Sequence, residues 1–110
     1  VTTTPSGLQI EIHEQGDNRR ATESSVVKVH YTGKLIDGKV FDSSVQRGEP
    51  IEFSLNRVIP GWTEGMQLIG VGGKATLVIP PELGYGESGA GGVIPPQATL
   101  VFDVELLDIK

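Results

Sequence analysis

The stretch Val58–Gly70, VIPGWTEGMQLIG, is where apolar residues repeat at helical rather than strand spacing. Trp62, Met66 and Ile69 fall at i, i+4 and i+7, with Pro60 at the first helical position and Gly70 beyond the last apolar residue. That pattern predicts one short helix. On both sides the period changes to two. Upstream, Ile51, Phe53 and Leu55 form one alternating set. Val27, Val29 and Tyr31 oppose Lys28 and His30 in another, which runs toward Ile36 and a hairpin turn at Asp37-Gly38 leading to Val40 and Phe41. Leu8, Ile10 and Ile12 alternate with Gln9, Glu11 and His13. Downstream, Ala75, Leu77 and Ile79 make a strand, and Leu100, Phe102, Val104 and Leu106 make the last and longest. Four to six strands with one apolar face and a single amphipathic helix predict an α+β domain, an antiparallel sheet wrapped on a helix.

At 110 residues and 11.7 kDa the chain fits one domain with one core. It has no Cys, which removes disulfides, thiolate metal sites and cysteine nucleophiles together. The formal charge of -5 is opposite to the basic field that phosphate backbones demand, so nucleic acid is not an expected partner. No apolar run approaches the ~20 residues that span a bilayer, and no membrane insertion is expected. The start at Val1 has neither a basic nor an apolar leader, which leaves any targeting signal absent or already removed, and cytoplasm and periplasm equally open. Fifteen glycines and seven prolines imply many tight turns. Residues 1–6 read as a tail or linker stub and 7–110 as the domain.

Three motifs fail on inspection. Gly84-Tyr85-Gly86-Glu87-Ser88-Gly89 spells a dinucleotide fingerprint, yet Pro80-Pro81 before it and Pro95-Pro96 after it deny it the helix that would hold a pyrophosphate. His13 and His30 fall on the polar faces of their strands, so they read as solvated residues, and no metal site is visible. Asp42-Ser43-Ser44 sets hydroxyls beside an acid, but no histidine has a sequence-derived reason to approach them. A turn that caps its own amides is the simpler reading.

The aromatic residues are few and evenly dealt: Tyr31, Phe41, Phe53, Trp62, Tyr85 and Phe102. Most belong to strands or to the helix start, where packing explains them. Tyr85 lies between two glycines in a long loop, where no core needs a ring. Pro60 pushes Ile59 into an extended conformation, so the Ile59 amide lacks an intrahelical acceptor and is an available donor. An apolar wall with a few free donors and one carboxylate is the profile of a small-ligand pocket.

From about Gly7 to Lys110 the chain resembles the FKBP-type peptidyl-prolyl cis-trans isomerases. The blocks that carry the resemblance are Val29-His30-Tyr31-Thr32-Gly33, Asp37-Gly38, Val40-Phe41-Asp42-Ser43-Ser44, Val58-Ile59-Pro60-Gly61-Trp62, Leu83-Gly84-Tyr85-Gly86, Ile94-Pro95-Pro96 and Ala98 through Leu107. Val58 through Gly65 and Pro5-Ser6-Gly7-Leu8-Gln9 look most like the bacterial subgroup of macrophage infectivity potentiators. In that subgroup an N-terminal helical region often dimerises the protein, so the resemblance implies a monomeric domain that is dimeric only through a preceding region.

The resemblance implies a five- to six-stranded antiparallel half-barrel around one short helix, with substrate proline held between helix and sheet. It assigns catalytic roles to Tyr31, Phe41, Asp42, Ile59, Trp62, Tyr85 and Phe102. Trp62 is the expected floor, the Ile59 amide a donor to a substrate carbonyl, and the Tyr85 hydroxyl a further polar contact. Substrate contacts fall to Arg47, Ile51, Val58, Val93 and Ile94. No metal or cofactor is implied. The expected ligands are proline-containing peptides, unfolded proteins and macrolide inhibitors such as tacrolimus and rapamycin. Asp42 either orients the substrate electrostatically or caps the turn that shapes the pocket. Ile51 and Ala90 replace a phenylalanine and a loop histidine of the small human prototype, which bears on the residue preferred before proline. Pro80–Gln97 reads as a mobile flap favouring Leu or Phe over Glu there, with Asp42 and Glu87 adding like-charge repulsion. A chaperone module that holds proline-containing or unfolded chains in the same groove is the alternative function. A purely structural β-domain leaves Tyr85 and the Ile59 amide without a purpose.

Overall fold

The computed structural model describes residues 2–89 and 94–110. Among the described residues seven strands run in chain order: β1 (Thr2–Thr3), β2 (Gln9–Glu14), β3 (Val26–Leu35), β4 (Val40–Ser43), β5 (Ile51–Ser54), β6 (Lys74–Ile79) and β7 (Leu100–Ile109). A one-turn helix α1 (Ser44–Arg47) follows β4, and α2 (Pro60–Gly65) follows β5. Two short 3-10 turns, Leu55–Arg57 and Pro81–Leu83, precede α2 and follow β6. All pairings are antiparallel, in the order β1-β2-β6-β7-β3-β4, with β5 also on β3.

Strand β3 organises the sheet. One edge is paired to β7 from Val27 opposite Ile109 to Leu35 opposite Leu100. The other edge is shared end to end, Val26–Val29 pairing with β5 and Thr32–Lys34 with β4. The chain therefore leaves the sheet at Ser43 and returns at Ile51, and α1 fills the gap. This split edge and the short β1 account for seven strands where five or six were expected. Thr2 and Thr3, expected as tail, pair with Ile10 and Gln9 through a turn closed by Thr4 N–H to Leu8 C=O (2.8 Å).

Period-two alternation turns the anticipated residues inward: Val27, Val29 and Tyr31; Ala75, Leu77 and Ile79; Leu100, Phe102, Val104 and Leu106 are all buried. Around β2 the pattern holds only for Leu8, just before the strand, and Ile10. Ile12 is 39% exposed, just before the ladder slips between Ile12 and Glu14.

Helix α2 is shorter than the Pro60-to-Ile69 pattern predicts, ending at Gly65 with Met66 as its cap, although Trp62, Met66 and Ile69 are all buried. Its composition explains this. A Cβ on Gly61 would lie 2.7 Å from the Ile79 side chain and one on Gly65 would lie 2.9 Å from that of Leu77, so these glycines let the helix backbone rest directly on β6. Two glycines in a six-residue helix also cost it roughly 1 kcal/mol each in propensity, which leaves packing rather than intrinsic preference to hold it. No helix among the described residues is long and apolar enough to cross a membrane.

Candidate functional site

Where α2 meets the inner face of β3 and β7, Trp62 lies with 4% of its surface exposed and three rings stand edge-on to it. Tyr31 is at 5.2 Å between ring centres, Phe53 at 5.3 Å and Phe102 at 5.4 Å, with interplanar angles of 85°, 73° and 87°. Phe41 extends the set by an edge contact to Phe102 at 5.5 Å. Such T-shaped pairs put positive ring edges on negative faces, worth about 0.5–1.5 kcal/mol each beyond the area they bury. Above this floor opens a cavity of about 290 Å³, lined by Tyr31, Phe41, Asp42, Phe53, Arg57, Val58, Ile59, Trp62, Tyr85 and Phe102.

Gly33 makes room for the ring pair on the β4 side. A Cβ there would lie 2.7 Å from both the Phe41 and the Phe102 rings. A lone glycine inside an alternating strand is the usual sign of such an approach. The position lay inside a motif of the resemblance without being assigned a role.

The rim is polar and is built by α1. Ser43 caps that helix by accepting from the Gln46 N–H at 3.2 Å, and Gly48 closes it in the left-handed region at φ 75°. One turn brings Arg47 back over Asp42: its guanidinium donates to Asp42 Oδ1, and its second Nη lies 3.3 Å from the Tyr31 hydroxyl. Tyr31 in turn donates to Asp42 Oδ2. The Asp42 carboxylate is thus occupied on both oxygens. Partial burial alone would raise its pKa, but the hydrogen bonds from Tyr31 and Arg47 and the adjacent positive charge outweigh that and hold it below the ordinary carboxylate value. Burial raises the Tyr31 phenol, and its bond to Asp42 adds to the shift.

Ser44 anchors the turn from beneath. It is fully buried, its Oγ accepts from the Tyr31 N–H at 2.8 Å, and it lies 2.9 Å from His30 Nδ1. A histidine does reach the Asp42-Ser43-Ser44 turn, against expectation, because Ser44 folds back over β3. The triad reading still fails, since a hydroxyl with no exposed surface and three polar partners is a structural pin. His13 stays exposed, bonded to Thr76 Oγ1 at 2.8 Å.

The Ile59 carbonyl accepts the Trp62 and Thr63 amides at 2.9 and 3.2 Å, while its own N–H has no acceptor among the described residues. Tyr85 is 40% exposed at the opposite wall. Its loop is tied by Gly86 N–H to Pro81 C=O (2.9 Å) and Gln97 N–H to Gly86 C=O (2.8 Å).

Of the residues singled out from sequence, Tyr31, Phe41, Asp42, Val58, Ile59, Trp62, Tyr85 and Phe102 line this one cavity. Arg47 does not line it and acts on it through Asp42 and Tyr31. Ile51, opposite Val29 in the sheet, and Ile94, 6% exposed in the core, are not among the described residues that line it. Val93, with Ala90, lies outside the described residues. Phe53 and Arg57 line the cavity without having been assigned to it. Phe53 was legible as an aromatic on an alternating strand, whereas nothing local marks Arg57. Among the described residues no group of three His, Asp or Glu side chains is placed to hold a metal ion.

Residues 17–107 match the family model described as FKBP-type peptidyl-prolyl cis-trans isomerase. The chain is 61% identical over 110 residues to a probable FKBP-type peptidyl-prolyl cis-trans isomerase of Haemophilus influenzae, covering 100% of this chain and 46% of that protein. It is 60% identical over 109 residues to the FKBP-type 22 kDa peptidyl-prolyl cis-trans isomerase of Escherichia coli, covering 99% of this chain and 53% of that one. The crystal structure of FkpA from Escherichia coli superimposes with a TM-score of 0.96 at 56% identity, over 99% of this chain and 51% of that chain. The chain spans about half the length of the curated relatives it matches.

Proposed function

This chain belongs to the FKBP-type peptidyl-prolyl cis-trans isomerase family, and we propose that it accelerates rotation about Xaa-Pro bonds in peptides and unfolded proteins. The observation that carries this reading is the juxtaposition of an aromatic floor, closed by Trp62, with an Ile59 N–H that has no acceptor among the described residues. A prolyl ring is apolar on every edge and fits such a floor. The carbonyl beside it needs one donor, which Ile59 supplies.

The chemistry asks little more. Rotation about the imide is opposed by ~18–20 kcal/mol because amide resonance must be broken. No bond is made and no proton needs to move. The planar bond is the more charge-separated form, and water stabilises it best. Transfer to a water-poor aromatic cavity withdraws that stabilisation, while the twisted bond loses less. Asp42 keeps its charge, yet both oxygens are held by Tyr31 and Arg47, so its part is to fix the Tyr31 ring and the α1 turn. The same cavity is the proposed site for the macrolides tacrolimus and rapamycin, as competitors for the prolyl site.

A protease-coupled isomerisation assay in metal-free buffer tests the proposal. The expected result is catalysis that tacrolimus suppresses, with saturable change in the emission of the single tryptophan, Trp62. A parent chain that gives only the uncatalysed rate sinks the isomerase reading.

A further inference from the structure

Two arginines stand by the cavity and they are in opposite states. Arg47 is committed to Asp42 and Tyr31. Arg57 lines the cavity, is exposed, and makes no ion pair or side-chain hydrogen bond with any described residue. The charges at the mouth therefore do not cancel. Asp42 is offset by Arg47, Glu87 is not among the lining residues, and Arg57 remains as an uncompensated cation on a chain whose overall charge is -5.

The backbone that carries Arg57 is fixed. It ends the Leu55–Arg57 turn, and Leu55 at the start of that turn is fully buried. The Leu55 N–H donates to Ser25 C=O at 2.9 Å, and its carbonyl accepts the Thr63 hydroxyl from α2. Directly after Arg57 come Val58 and Ile59, whose free N–H faces the substrate in the proposal above. A guanidinium at this point stands at the mouth of the cavity, with a planar fork suited to a carboxylate.

We infer that Arg57 is a specificity-determining residue that draws an acidic side chain flanking the substrate proline to the mouth of the cavity. The inference rests on the isomerase reading for its substrate class. It reverses the electrostatic bias expected from Asp42 and Glu87, because Asp42 is already neutralised and Arg57 is not. At physiological salt the screening length is about 8 Å, so the local cation outweighs the more distant negative charge of the chain.

The test compares kcat/KM for peptides carrying Glu, Gln or Lys at each position next to proline, using the full chain at 0.15 M and 1 M salt as about the two screening extremes. At one of the two positions Glu should exceed Lys by roughly fivefold at the lower salt, the scale of exposed charge pairs gained and lost. The ratio should collapse at high salt, persist in Arg57→Lys and invert in Arg57→Glu. Trp62 emission gives the affinities of the same peptides independently of turnover. If the parent turns over neutral peptides but Arg57→Glu leaves the Glu-to-Lys ratio unchanged, the role of Arg57 is overturned and the isomerase reading survives. If no peptide is turned over, the isomerase reading fails, and equal affinities of parent and Arg57→Glu for the Glu and Lys peptides would reject the Arg57 site as well.

Discussion

The floor and the rim of the cavity are held by different physics. The floor is Trp62, Phe102 and the β6 side chains under α2, all buried and apolar except for the Trp62 indole N–H. The rim is Asp42, Arg47 and the Tyr31 hydroxyl, joined by hydrogen bonds between groups that are half in water, the ion pair being 47% and 41% exposed. Burial at the floor returns about 25 cal/mol for each Å² removed from water, whereas exposed ion pairs return less than about 1 kcal/mol in all. Folding stability therefore belongs to the floor. The rim sets orientation and charge, and changes there are expected to move specificity and pH response more than stability.

The most severe break in the floor is to deny α2 its close approach. In Gly61→Ala the new methyl would sit 2.7 Å from Ile79 Cγ2, so the helix must lift or Ile79 must leave its rotamer. Overpacking of this kind costs about 1–3 kcal/mol, and lifting α2 would carry Trp62 away from Tyr31, Phe53 and Phe102. Urea denaturation should show the loss, and Gly61→Ala combined with Ile79→Val should recover part of it. A fully stable Gly61→Ala would show that the helix is not seated as tightly as its contacts imply.

Next in size is a break at the wall. Phe41 is only partly buried, so Phe41→Ala removes its edge contact with Phe102 without opening the core. Stability should fall by about 1 kcal/mol. The loss in kcat/KM should be larger, about tenfold, equivalent to ~1.4 kcal/mol, because water now enters beside the bond that rotates. A fall in activity no greater than the fall in stability would argue that this wall excludes no water that matters.

The same division explains what the sequence disclosed. Alternation is a local property, and it identified the inward residues of β3, β6 and β7, while the spacing of Trp62 and Met66 identified the helix that covers them. The rim was harder to read. α1 is a single turn, too short to show a helical period, so nothing in Ser44–Arg47 announced that Arg47 folds back onto Asp42. Arg57 lines the cavity, and Ile51 and Ile94 are not among its lining residues, through tertiary placement that no local pattern reports. The end of α2 was missed because the apolar period continues past Gly65 through residues that are buried without being helical.

The smallest expected effect is also the one that isolates the rim, and it is a pH dependence with two arms. Asp42 has a folded pKa below its ordinary value, so the unfolded chain binds its proton more readily than the folded chain. Its contribution is present above the ordinary value and is lost as pH falls through the folded one. Tyr31 has a folded pKa above its ordinary value of 10.0, so its contribution is present below that value and is lost as pH rises through the folded one. Stability should be level between about pH 5 and pH 9 as far as this pair is concerned, and should fall outside that window. Solvent screening at the half-exposed rim keeps the acid arm under about 1 kcal/mol. Asp17, depressed by its hydrogen bonds to Arg19, contributes in the same acid direction, so the parent curve alone does not single out Asp42. The difference between parent and Asp42→Asn does: it should shrink as pH drops from about 5 to 2, because the parent loses a charge that the variant never had. Tyr31→Phe keeps the ring against Trp62, should remove the alkaline arm and should also weaken the acid arm, because the lost hydroxyl is one of the two donors that hold Asp42 low. Urea midpoints for the three chains from about pH 2 to beyond the ordinary tyrosine value of 10.0 measure both arms, and parallel curves would mean that the Tyr31, Asp42 and Arg47 contacts carry no net free energy in solution.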